Sequence, residues 1–279
     1  MTGRQAELSA KDFNSADEKE VEDVGPKERN NLEAWAIRLA SICAVFGSWE
    51  YFGRQVDPLF ASYPTAIAQS AVRLIQNGEL IEALQTSLTT LVISFSLGTF
   101  VGLTLGMLIG RYRRLEWATD WIISALYSTP KVAILPLVIL WLGLGAPSKI
   151  FLVTMTVIFP ILINTIAGVR NVPPHLIDVG NAFAAKEQHI FIKIILPSAV
   201  PYMIAGVRLS VGKAVIALVV AEFFTAISGL GFLITKYGNM FDTAAMFVPI
   251  FILMFMGVTL QAGAKAIEKR LAQWRYTDD

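Results

Sequence analysis

Six stretches of this chain are apolar over lengths that cross a bilayer, and this repetition constrains the fold more than any other feature. They fall near residues 34–52, 82–110, 117–143, 149–169, 204–227 and 244–264, and a spanning helix needs roughly 17–25 residues. Hydrocarbon offers backbone amides no water partner, so such segments must bond internally as helices. The expected fold class is all-α: a polytopic membrane protein of about six transmembrane helices. Composition agrees, because only 16% of the residues are charged, against about 25% in a soluble domain.

The first thirty-three residues are polar and acidic (Glu7, Asp12, Asp17, Glu18, Glu20, Glu22, Asp23, Glu28, Glu33), which predicts a disordered tail. No short apolar core with a small-residue cleavage site opens the chain, so no removable signal peptide is expected. A first transmembrane helix is expected over 34–58, an outer interfacial segment over 59–80 and a permeating core over 81–270, with a short tail over 271–279. Pro64 can open a helix and Asn77-Gly78 can close it. Ile67, Ala71, Leu74 and Ile75 share a face opposite Gln69, Arg73 and Gln76, the pattern of a helix lying on a membrane surface. Cys43, the one cysteine, reads as a packed small residue. His175 and His189 lie together in one loop without further ligands, so neither a metal site nor a bound cofactor is expected.

Lysine and arginine placement gives the orientation. With a cytoplasmic N-terminus, the inner side receives the basic residues of the tail, Arg111, Arg113, Arg114, Arg170, Lys186, Lys193, Arg208 and the C-terminal cluster. The outer side keeps Arg54, Arg73, Lys149 and Lys236, an imbalance of about fourfold in the sense of the positive-inside rule. Both termini are then cytoplasmic, and so is the polar stretch from Asn171 to Pro201. In that stretch Pro173 and Pro174 suit a first helical turn, and Leu176, Val179, Ala182 and Phe183 recur on one face. A polar tip, Ala185-Lys186-Glu187-Gln188-His189, leads to a second apolar run that closes at Pro197. The expectation is two short helices hinged at an exposed tip.

The second apolar segment carries Thr90, Ser94, Gly98, Gly102, Gly106 and Gly110, each four residues after the last. Small residues at that spacing form a flat stripe that admits a second backbone at close range, in the same chain or in another copy. The fifth segment repeats the device with Gly206, Ser210 and Ala214. The third is broken by Thr129-Pro130-Lys131 and Pro136, because each proline removes an intrahelical bond. It is either a wall of a translocation pathway or a kink that serves packing. Lys213 reads as a side chain reaching back to the cytoplasmic interface. Glu222 should face the protein interior, as a pathway residue or paired with a residue such as Lys131. After it, Ser228 to Ile234 either dips back as a short helix or forms an outer loop.

No catalytic machinery is visible. The string from Gly206 to Ala214 has one residue too many for a phosphate-binding loop, and alanine stands where the magnesium ligand belongs. No nucleotide site of this kind and no enzymatic role are expected. A self-sufficient secondary transporter using Glu222 for ion coupling is one reading the residues leave open.

The order Asp178-Val179-Gly180, Ala184, then Leu196-Pro197 resembles the "EAA" signature of the membrane subunits of ATP-binding-cassette importers. Asp178 stands for Glu, and Ala184 for Gly. The runs beginning at Asn77, Ser128 and Val219 also resemble the branch that imports nitrate, sulfonates and taurine. The resemblance implies a type I importer permease fold in the cell inner membrane. Its partners would be ATPase subunits that bind the ATP, an external solute-binding protein and a second copy of the chain as a homodimer. Its cargo would be a small solute. Carried over, Ala184, Ala185, Lys186, Glu187 and Gln188 would form the tip that seats in the ATPase, framed by Asp178 and Leu196-Pro197. Replacing Gly by Ala184 removes easy access to positive φ, which leaves the family turn in question.

Overall fold

The computed structural model describes residues 31–271, so the acidic tail up to Asn30 and the residues after Leu271 lie outside the described region. Among the described residues every regular element is helical. The first, α1 (Asn31–Gly53), belongs through Tyr51 to a unit of its own, and the second unit starts at Phe52. Within α1 the Arg38 guanidinium sits 5.3 Å from the Trp35 ring. Cys43 is exposed and not packed as expected.

The second unit runs through α2 (Pro64–Gln76), α3 (Glu79–Arg111), α4 (Arg113–Ser128), a 3-10 turn (Lys131–Ile134), α5 (Leu135–Leu142) and α6 (Ala146–Arg170). It continues as α7 (Pro174–Ala182), α8 (Glu187–Ile190), a π turn (Phe191–Ile195), α9 (Leu196–Thr225), α10 (Leu230–Asn239) and α11 (Thr243–Leu271). Among the described residues four helical runs are long and apolar enough to cross a membrane: Glu79–Arg111, Ala146–Arg170, Glu187–Thr225 and Thr243–Arg270. The pair Arg113–Ser128 and Lys131–Leu142, bent by 84°, makes a fifth if it is one broken span. The polytopic helical fold stands, with four such runs among the described residues, or five with the bent pair, against an expected count of about six. The first expected span falls on α1, a 23-residue helix that is not among these runs.

Helix α6 is the centre of the second unit. Leu152, Val153, Val157, Ile161 and Thr165 are fully buried along it, between α3 on one side and α9 on the other. The small-residue stripe of α3 faces α6 of the same chain. A Cβ at Gly98 would sit 2.7 Å from the Val157 Cβ, and one at Gly106 would sit 2.6 Å from the Thr165 Cβ. At Gly102 it would meet the Ile158 carbonyl oxygen at 2.9 Å, and at Gly110 the Val169 Cβ at 2.8 Å. No side chain fits at these four positions without separating the helices. Ser94, between them and Thr90, is buried as well and donates to the Thr90 carbonyl at 2.6 Å.

On the opposite side, the Ser210 hydroxyl bonds the Val157 carbonyl oxygen at 3.1 Å, and Ala214, Ala217 and Ala221 are buried below it. Small residues on both partners therefore let three long helices lie as a slab. In α2 the buried face is Ile67, Ser70 and Leu74. The expected stripe is rotated slightly, so that Ile75 is exposed. The helix rests on α11 and α3, and Arg73 bonds Asp242 at 2.7 Å. At the same end, Lys236 and the Tyr237 hydroxyl converge on the Glu79 carboxylate at 2.7 and 2.8 Å. That hydrogen bond holds the Lys236 ammonium above the usual lysine range.

Candidate functional site

The elbow between α6 and α9 is built around one reversal. Pro173 is extended (ψ 128°) and Pro174 begins α7, where a missing N–H leaves nothing unbonded. At the far end the Ala184 N–H donates to the Asn181 carbonyl at 2.9 Å and the Ala185 N–H to the Gly180 carbonyl at 3.1 Å. These are the paired bonds of a Schellman stop. Its left-handed position is occupied by Ala184 at φ 50°. Alanine here takes the conformation that its Cβ disfavours, at about 1–2 kcal/mol.

Gly180 is buried where the two arms touch, since a Cβ there would lie 3.0 Å from Ile190 and 3.1 Å from Ile194. Ile190, Ile195, Ala199, Met203, Val169 and Val172 form a core, onto which Ile177 and Ala185 pack. The elbow is thus continuous with α6 and α9. Its predicted apolar face points the other way: Leu176, Val179 and Phe183 are exposed, Phe183 at 83%. Asp178, Lys186 and Gln188 are exposed beside it. Glu187 reaches Arg111 at the end of α3 at 2.8 Å.

Pro197 does not close the second arm, contrary to expectation. The π turn Phe191–Ile195 precedes it, and helix continues from Glu187 to Thr225. A proline ring collides with the carbonyl of the fourth residue before it, here Lys193. Widening that turn to π spacing removes the collision without ending the helix. Leu196, at the start of α9, is half-buried against the elbow core.

The broken third segment bends between Ser128 and Lys131. The Thr129 hydroxyl donates to the Ala125 carbonyl at 2.8 Å. Pro130 is extended, and Pro136 sits harmlessly at the start of α5. The Lys131 ammonium donates to the Tyr127 carbonyl at 2.7 Å and to the Thr129 carbonyl at 3.3 Å. It lies 5.2 Å from the Tyr127 ring and 4.9 Å from Phe159. From α9, the Lys213 ammonium donates to the Tyr127 hydroxyl at 2.9 Å. Lys213 therefore reaches across to Tyr127 on another element. Neither Tyr127 nor the meeting of the two lysines is visible in sequence, because 86 residues separate Tyr127 from Lys213.

The expected pairing of Glu222 with Lys131 is absent. Glu222 is fully buried. One of its oxygens accepts the Ser87 hydroxyl at 2.6 Å and the other the Gly231 N–H at 2.7 Å. Ser87 also accepts the Leu230 N–H at 2.8 Å. Together they cap the first turn of α10, so the stretch after α9 is a short packed helix. Beside them Lys149, expected at the outer surface, is buried and donates to the Ser228 carbonyl at 2.7 Å. Two charges that water would cover on a loop are instead absorbed by one turn of backbone and two serines.

Long apolar helices, a broken span and an elbow tied into two of the spans make this a multi-pass helical membrane protein. The family model for the binding-protein-dependent transport system inner membrane component matches residues 98–273, and the chain belongs to that family. The putative aliphatic sulfonates transport permease protein SsuC of Bacillus subtilis is 32% identical over 257 residues, covering 91% of this chain and 93% of that protein. The taurine transport system permease protein TauC of Escherichia coli is 27% identical over 224 residues, covering 78% and 82%. Among solved structures, the inward-facing MetNI methionine ABC transporter matches with a TM-score of 0.57 at 19% identity, over 67% of this chain and 93% of that one. An amino acid ABC transporter matches at 0.58 and 13% identity, over 71% and 97%. At such identities the two structures show a shared fold. The type I importer permease fold follows, and the chain is the permease component of an ABC importer.

Proposed function

We propose that two copies of this chain enclose a passage for a small sulfonate-like solute, and that separate ATPase subunits drive it through the elbow. An external binding protein delivers the solute, both termini face the cytoplasm, and ATP is bound by the partner alone. The sulfonate and taurine relatives support the solute class. The observation that carries the coupling role is the elbow itself: Phe183, Val179 and Leu176 are exposed on a frame whose reverse side is welded to α6 and α9. Motion of a partner seated on that face moves two spans as one body, because packed elements transmit displacement without absorbing it. Asp178, Ala184, Ala185, Lys186, Glu187 and Gln188 border the seat, and Leu196 and Pro197 stiffen the arm behind it.

Purification in mild detergent tests this. An ATPase subunit should accompany the wild-type chain in equal amount and be lost from Phe183→Asp, while the variant keeps its elution volume. Undiminished ATPase recovery with that variant removes the elbow from the mechanism. Uptake without ATP that collapses with an uncoupler would replace the importer by an ion-coupled carrier.

A further inference from the structure

We propose that Lys131, Lys213 and Tyr127 form an oxyanion-binding step on the translocation pathway, contacted by the sulfonate group of the solute as it passes. The inference rests on the importer reading and adds to it a named site.

Each ammonium has three donors. Lys131 uses two, on the carbonyls of Tyr127 and Thr129, and Lys213 uses one, on the Tyr127 hydroxyl. Among the described residues neither lysine has a carboxylate within ion-pair distance. Both stand over one aromatic ring, at 5.2 and 4.8 Å from its centre. Two ammonium groups thus share one ring, and an anion between them would relieve their mutual repulsion.

The placement is equally specific. Lys213 lies five residues beyond Arg208, about 7.5 Å of helix, and about 18 Å before Thr225 at 1.5 Å per residue, within the run Glu187–Thr225 that is long and apolar enough to cross a membrane. The face of α9 that carries it, with Leu209, Gly212 and Ile216, is exposed, Ile216 at 66%. Val211, Val215 and Leu218 on the opposite side are buried, and so are Ser210 and Ala217 beside it, so Lys213 stands at the edge of the packed face. An ammonium turned to lipid tails at that depth is strongly disfavoured, so charged side chains there face a watery cavity or a partner. The bend at Thr129-Pro130 brings Lys131 to the same ring, and irregular backbone at membrane depth is tolerated along such a cavity. An anionic lipid headgroup offers the same chemistry as a solute sulfonate, and the test separates the two.

The full chain is reconstituted in phosphatidylcholine vesicles with whatever subunits copurify. Cys43→Ser removes its one cysteine, and Ile216→Cys serves as the reporter, with Leu209→Cys as a second reporter if the first fails to fold. Sulfonatoethyl and trimethylammonioethyl methanethiosulfonate, reagents of similar size and opposite charge, are compared by the intact mass of this chain. Relative to a free thiol, the anionic reagent should be favoured by about tenfold, the scale expected for nearby unit charges in partly screened surroundings. Lys131→Gln and Lys213→Gln should each reduce that preference, and free ethanesulfonate should slow the anionic reagent.

Absence of reaction with either reagent at both positions, a free-thiol ratio, or a ratio indifferent to both substitutions overturns the site. Suppression of the anionic reaction by added phosphatidylglycerol assigns the site to lipid and overturns the solute role. The measurement requires no ATP. Loss of the charge preference with an ATPase subunit still bound removes this site alone, and an intact preference without any ATPase removes the importer reading alone.

Discussion

Glu222 and Gly231 are joined by a 2.7 Å hydrogen bond from the glycine N–H to the carboxylate, and this contact decides what a buried acid does here. A Cβ at Gly231 would lie 2.7 Å from the Glu222 Cβ, so only glycine admits the approach. Glu222→Ala leaves the Gly231 N–H and the Ser87 hydroxyl without their acceptor, each orphaned group costing about 1–3 kcal/mol. Glu222→Gln keeps an acceptor and should retain most of the stability. Thermal unfolding of the purified variants in detergent should rank them in that order. An ion-coupling acid would behave differently: Gln would unfold like wild type yet abolish uptake.

The glycines of α3 should respond by position and not by helix propensity. Gly106→Ala places a methyl 2.6 Å from the Thr165 Cβ and 3.0 Å from the Leu162 carbonyl. Overpacking of this kind costs about 1–3 kcal/mol. Gly263→Ala on α11 meets nothing within 4 Å and should be neutral or stabilising by up to about 1 kcal/mol. Equal unfolding temperatures for the two variants would mean that α3 and α6 are not in close contact.

Elements governed by local pattern were legible from the sequence. The four-residue stripe on α3, the break at Thr129-Pro130 and the two-armed elbow all follow from spacing and proline chemistry. What was not legible depends on partners remote in the chain. Lys149 looks like an outer-surface charge until α9 and α10 fold Ser228 over it. Lys213 gives no sign in sequence of Tyr127, which arrives from another element. Pro197 reads as a helix stop because nothing in the residues Phe191 to Ile195 announces a π turn. Cys43 fails for a different reason: an apolar run alone does not say which of its residues are packed.

Ala184 holds a left-handed backbone with a side chain that resists it, so Ala184→Gly should stabilise the elbow. The gain is about 1 kcal/mol, the left-handed penalty less the extra chain entropy of glycine. Hydrogen exchange at the Ala185 amide, which bonds Gly180, reports it as slower exchange. Ala184→Val should do the reverse and speed exchange, because a β-branched residue at positive φ is a steric outlier. Faster exchange in the glycine variant would show that the turn is not held by the paired reversal bonds.

Glu187 distinguishes folding from docking. Its side chain is 86% exposed while it bonds Arg111, and exposed pairs of this kind contribute about 0–1 kcal/mol. Glu187→Ala should therefore leave the unfolding temperature almost unchanged. Its effect should fall on coupling, because the bond ties the elbow tip to the end of α3 and leaves one carboxylate oxygen for a partner. Substrate-driven ATP hydrolysis in reconstituted vesicles should drop several-fold in Glu187→Ala and in Lys186→Ala. Arg111→Ala removes the tie but keeps the tip charge, so a smaller loss there assigns Glu187 to the partner surface. An equal loss in Arg111→Ala and Glu187→Ala would instead assign it to holding the tip in place.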